Sequence, residues 1–160
     1  MKAVLAVCSV LIVVMMGVLT WANNLPAEKS HQAIFKIDAP VDSVFSAMTD
    51  WTAQSSWRNG IASVEMIDTD SFVEHPVNGP SINFDVVALE PNTRIALNMS
   101  GPFEGEYEAL LSFNDGVTTI MVSERITQTS LTGRIASTFF VDLGDFANTY
   151  FQELEAYLKS

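Results

Sequence analysis

His75 is the side chain best suited by type to move a proton near neutral pH, and Glu74 and Pro76 flank it. Adjacent residues of a strand point to opposite faces. Ser71 to Val77 alternates as a strand, so the Glu74–His75 pair splits and His75 reads as an exposed edge residue. His31 follows a polar tether and reads as solvated. Two histidines without spaced carboxylates are a poor metal site, and the single cysteine, Cys8, permits neither an internal disulfide nor a cysteine-based metal centre. No metal is expected. No cofactor is expected either, because the chain has no glycine-rich phosphate loop, and it also lacks a Gly-x-Ser-x-Gly element.

Glu104, Glu106 and Glu108 recur at a spacing of two. Paired carboxylates shift one another's pKa and can act as acid and base. Tyr107, Ala109 and Leu111 occupy the opposite face, so the glutamates read as the wet side of an amphipathic strand. Arg58, Arg94 and Arg125 are among the few cations. Arg125 follows Glu124 on an otherwise apolar strand, and either can point inward to orient a polar ligand head. Surface pairing is the plainer reading, and such pairs contribute little.

The chain has 160 residues, with 19 acidic against 8 basic ones and a net charge of −11. Without a basic patch to offset it, that charge excludes nucleic acid as a partner. Residues 3–22 form an apolar run whose polar members are Ser9 and Thr20. The run exceeds the ~7–15 residues of a signal-peptide core and suits a span of about 20. Trp21 falls where interfacial aromatics settle. Residues 1–22 are therefore expected to anchor the chain in a membrane, with the acidic domain on the extracytoplasmic (periplasmic) side. The alternative is secretion after cleavage near Ala22. Residues 23–29 read as a tether and residues 30–160 as one domain.

The domain must supply the elements that position these groups. Ala33 to Asp38 reads as a strand, Val41 to Met48 as a short helix opened by Pro40, and Trp51 to Arg58 as a second short helix or turn. Six strands follow, separated by turn signals that include Asn78-Gly79, Pro91-Asn92, Gly101-Pro102 and Asp115-Gly116. Short turns make the sheet antiparallel. Ile135, Phe139, Leu143, Phe146, Tyr150, Leu154 and Leu158 then share one face at helical spacing, which predicts a single helix from Thr132 to Leu158 about 40 Å long. Gly144 is its weak point.

The segment Ile37-Asp38-Ala39-Pro40-Val41-Asp42-Ser43-Val44-Phe45, followed by Trp51 and Trp57-Arg58-Asn59-Gly60, resembles the opening of SRPBCC proteins, which comprise the START, Bet v 1 and polyketide cyclase/dehydrase-like domains. Gly105 to Thr127 and Leu131 to Ser160 resemble their penultimate strand pair and last helix. The resemblance implies an α+β helix-grip fold. In that fold a bent antiparallel sheet of about seven strands wraps a long C-terminal helix, with two short helices after strand one. It also implies a cavity between sheet and helix, lined here by Trp57, Phe72, Phe84, Met99, Tyr107, Phe139, Phe140 and Leu143. The function expected is a membrane-anchored or exported binding domain for a hydrophobic small molecule or lipid. The alternative is a cyclase/dehydrase-like enzyme acting on an aromatic or polyketide-type substrate, which needs at least two of His75, Tyr107 and Arg125 to converge on one cavity.

Overall fold

A computed structural model describes residues 15–18 and 20–160. Most of the expected anchor, residues 1–14 and 19, lies outside the described residues. Residues 15–18 and 20–23 are helical, and no described helix is long and apolar enough to cross a membrane.

The chain runs β1 (Glu28–Ile37), α1 (Val41–Thr49), a 3-10 helix (Thr52–Ser56), β2 (Ile61–Met66), β3 (Ser71–Pro76), β4 (Ile82–Glu90), β5 (Arg94–Ser100), β6 (Glu104–Asn114), β7 (Val117–Thr127), α2 (Leu131–Phe140) and α3 (Leu143–Leu158). The seven strands form one antiparallel sheet in the order β1-β7-β6-β5-β4-β3-β2. This is the α+β arrangement expected. β1 begins at Glu28, inside the stretch read as a tether, because Glu28 pairs with Thr127. The β6–β7 hairpin turns on Asp115 and Gly116, with φ of 51° and 87°. A two-residue turn of that hand matches the twist of the flanking strands. Register shifts between Val86 and Ala88 and between Ile61 and Ser63 mark bulges, which bend a sheet.

Alternation places Phe84, Leu97, Met99, Ala109, Leu111, Ile120, Val122 and Ile126 on the buried face of the sheet. α3 covers this face along β1: Phe151 stacks on Phe35 with ring centroids 4.1 Å apart, and Leu143 and Leu154 join the same core.

The predicted single C-terminal helix is two helices. The break falls at Val141 and Asp142, just before Gly144, because Asp142 caps α3. Its Oδ1 accepts from the backbone N–H groups of Gly144 at 2.9 Å and Asp145 at 3.1 Å. On the other side of the break, Lys29 Nζ donates to the carbonyl of Ser137 at 2.5 Å, which also accepts from the Val141 N–H at 3.2 Å, and to the carbonyl of Val141 at 2.7 Å. The interruption resets the apolar stripe. Leu143, Ala147, Phe151 and Leu154 face inward, while Phe139 and Phe146 are 62% and 60% exposed. Asp142→Ala is expected to cost about 1 kcal/mol, the usual value of an N-cap, measured as a lower urea midpoint at constant m.

Candidate functional site

The register of the sheet brings three polar side chains into one row across its inner face. His31 on β1 lies opposite Glu124 on β7, and Glu124 lies opposite Tyr107 on β6. Directly opposed residues of an antiparallel pair have Cβ atoms about 4.5–5.5 Å apart. The flanking rows are Ala33, Val122 and Ala109 on one side, and Lys29, Ile126 and Gly105 on the other. The His31 ring lies under the first turn of α3, against Gly144, where an added Cβ would come within 3.3 Å of its Cε1. Tyr150 descends from α3 toward the same region, packed edge-on against Trp57 (5.4 Å) and Phe151 (5.0 Å).

Glu124 is the chemically distinctive member. Burial pushes its carboxyl up to about 7. It makes no hydrogen bond or ion pair with any described residue, yet it is only half-buried. Burial also holds the Tyr107 phenol well above its ordinary value, with the nearby Tyr150 and Glu124 adding to the shift. It raises Tyr150 likewise, opposed by the Arg58 guanidinium. Neither phenol hydroxyl has a hydrogen-bonding partner among the described residues.

Arg58 and Glu74 close the far side. They form a direct ion pair, with side-chain exposures of 20% and 8%. Arg58 also donates to Gln54 Oε1 at 2.6 Å and lies over the Tyr150 ring at 5.1 Å from its centroid. Gln54 in turn donates from Nε2 to the carbonyl of Met48 at 2.8 Å, tying the network to α1. The expectation of a surface pairing for Arg58 is therefore corrected: Glu74 shares the inward parity of Phe72, and Arg58 follows it inside.

Of His75, Tyr107 and Arg125, only Tyr107 reaches the interior. His75 faces out, with Nδ1 2.8 Å from Ser81 Oγ and Nε2 3.6 Å from Glu65. Arg125 pairs with Glu28 at 3.6 Å on the exposed side. Arg94 spans Glu90 (3.2 Å) and Glu108 (2.8 Å) there too, beside the exposed Glu104 and Glu106. His31, read as solvated, instead sits on the inner face.

Among the expected lining residues, Phe72 and Phe84 belong to a packed aromatic stack with Trp51, at centroid spacings of 4.6 and 4.9 Å. Met99 and Leu143 are buried in the same core. Trp57 stacks on Tyr157 at 5.7 Å, and its indole Nε1–H is buried without an acceptor. Phe139 faces outward near Trp21, with ring centroids 6.3 Å apart. The Phe140 side chain lies outside the described residues. Two open clefts flank α3. One, of about 240 Å³, is walled by Ser43, Asp50, Trp57 and Tyr157, and the other, of about 160 Å³, by Phe35, Lys36, Asn148 and Gln152. Both are smaller than the ~300–1,000 Å³ typical of ligand pockets, and neither reaches Tyr107 or Glu124.

Residues 30–156 match the family described as polyketide cyclase / dehydrase and lipid transport. No curated protein matches the chain. The fold is similar to that of a conserved protein from Geobacillus kaustophilus (18% identity, TM-score 0.68, covering 82% of this chain and 95% of that one). It is also similar to a START superfamily protein from Mycobacterium smegmatis (13%, 0.66, 81% and 97%). A third similar structure is the ZhuI aromatase/cyclase from Streptomyces sp. R1128 (12%, 0.68, 82% and 94%). At these identities the likeness is one of fold.

Proposed function

Because the chain belongs to the polyketide cyclase / dehydrase and lipid transport family, we propose that it takes up a hydrophobic small molecule or lipid between the inner face of the sheet and α3. The observation that carries this reading is the set of Glu124, Tyr107 and Tyr150: partly buried on the inner side of the sheet and without a hydrogen bond to any described residue. Such groups are costly unless something hydrogen-bonds them. A guest with an apolar body and one polar end does so.

α2 is the element that admits the guest. None of its apolar side chains with a described burial is buried, and the Lys29 ammonium reaches the carbonyls of Ser137 and Val141 at its C-terminal end. Segments with few buried apolar contacts open at low free-energy cost. The apolar leader supports a location at the outer side of a membrane, with residues 1–22 as anchor. Trp21, Leu131 and Phe139 are exposed around α2, which supports α2 as the part nearest the lipid.

Native mass spectrometry of the purified chain tests the carrier reading. A retained apolar small molecule or lipid, lost on denaturation, is expected. A ligand-free interior with no thermal shift from a panel of lipids and aromatic compounds would overturn it. A second reading, a cyclase-type enzyme, is favoured by the same Glu124: a carboxyl titrating near 7 opposite a phenol is a serviceable acid/base pair. Turnover of a poly-β-ketone substrate that disappears in Glu124→Gln would establish it. Binding without turnover leaves the carrier.

A further inference from the structure

The carrier reading leaves open what the guest's polar end is, and the charge arrangement on the inner face answers that. Two described cations reach the interior. Lys29 is committed to the carbonyls of Ser137 and Val141, and Arg58 to Glu74 and Gln54. Of the remaining described cations, Lys36, Arg94, Arg125 and Lys159 lie on the outer surface or at the chain end. Arg134 is on α2, donating from Nη1 to the carbonyl of Asn23 at 3.4 Å, while its Nε–H is buried without an acceptor among the described residues. Two described carboxylates lie on the inner face. Glu74 is matched by Arg58, and Glu124 has no counter-ion.

The groups around Glu124 do not supply one. Tyr107 and Tyr150 are phenols held in their neutral form, able to donate or accept. His31 lies opposite on β1 but forms no ion pair with Glu124. Asp142, at the start of α3 near His31, is committed to its cap. The inner face therefore carries one carboxylate without an ion pair among the described residues, directly opposite the Tyr107 phenol.

Resting on the carrier reading, we infer that the guest is an amphiphile whose polar end is a protonated amine, seated against the Glu124 carboxylate beside the Tyr107 and Tyr150 hydroxyls. A carboxylic acid would place like charge next to Glu124, and the inward-facing cations Lys29 and Arg58 are already engaged by other groups. A neutral alcohol would gain hydrogen bonds but no charge pairing. An ammonium gains both, and hydrogen bonds between charged groups are the stronger class.

The test compares octylamine, octanol and octanoate by calorimetry on the full chain held in zwitterionic nanodiscs, with empty discs as blank. It is run at pH 8, where Glu124 is ionised, and in 0.5 M salt, which screens adsorption of amines to the acidic surface. Octylamine is expected to bind roughly tenfold or more tighter than octanoate, with octanol between them. Glu124→Gln is expected to erase the advantage of amine over alcohol. Octanoate binding as tightly as octylamine, or an amine preference that persists in Glu124→Gln, overturns the inference while the carrier reading stands. If octanol too fails to bind, the carrier reading falls and the amine assignment falls with it.

Discussion

Glu124→Gln is expected to raise the stability of this protein at pH 8 by at most about 3 kcal/mol, reduced by solvent screening of a half-buried carboxyl, and to leave it unchanged near pH 4. The cause is the carboxyl's position on the inner face, where burial lifts it from an ordinary 4.5 to about 7. The folded protein holds that proton more tightly than the unfolded chain does. Below about 4.5 both states are protonated and Glu124 costs nothing. Between 4.5 and 7 the unfolded chain loses the proton first, so stability falls as pH rises. Above 7 the cost is complete. Glutamine keeps the shape and removes the charge, so the variant lacks this step. The expected gain in Tm at pH 8 is roughly 5–10 °C. Thermal unfolding from pH 4 to pH 9 checks it, and parallel curves for the two proteins would show that Glu124 is ordinarily solvated.

Arg58→Met has the opposite sign and a comparable size. Glu74 is almost fully buried, with Arg58 as its counter-ion. Removing the arginine strands a buried carboxylate and leaves the Gln54 side-chain oxygen without its donor. Breaking a buried pair from one side costs about 3–5 kcal/mol. The double variant Arg58→Met/Glu74→Leu removes both charges and is expected to recover most of that loss, because an apolar pair of similar volume tolerates burial. Urea unfolding of the two single variants and the double variant gives the coupling directly. A loss below about 1 kcal/mol for Arg58→Met would place the pair among ordinary surface contacts.

Much of the fold was readable because its signals are local. Asp115-Gly116 marks a two-residue hairpin with positive φ at both residues, and Pro40 opens α1. The alternation of Ile82, Phe84 and Val86, and of Ile95, Leu97 and Met99, gives each strand its buried face. The break at Asp142 was less visible, because the apolar spacing runs straight through it. The signal was the N-cap itself, an aspartate before Leu143-Gly144-Asp145.

The site was legible only in part. Tyr107 and Glu124 are both open to an inward reading from the sequence, whereas His31 reads as solvated because the strand is taken to begin at Ala33. Glu124 has the same strand parity as Ile120, Val122 and Ile126, and His31 has that of Ala33, Phe35 and Ile37. Counting parity would have placed both inside. What no single strand reveals is that β1, β7 and β6 bring the two into one row with Tyr107, since that depends on register across three strands. The ion pair of Arg58 with Glu74 joins a loop to a strand, and spacing alone does not predict such a contact.

The central claim, that a greasy guest sits between the sheet and α3 with its polar end at Glu124, is tested most directly by photocrosslinking. An octyl probe bearing a terminal amine and a chain diazirine, irradiated with the full chain and mapped by peptide mass spectrometry, should label the inner face. Modification is predicted at Glu124, Tyr107 and Tyr150 and should be suppressed by excess octylamine. Labelling confined to the outer face, at Ile34, Leu110 and Met121, which oppose one another across β1, β7 and β6 with their side chains exposed, would contradict the account.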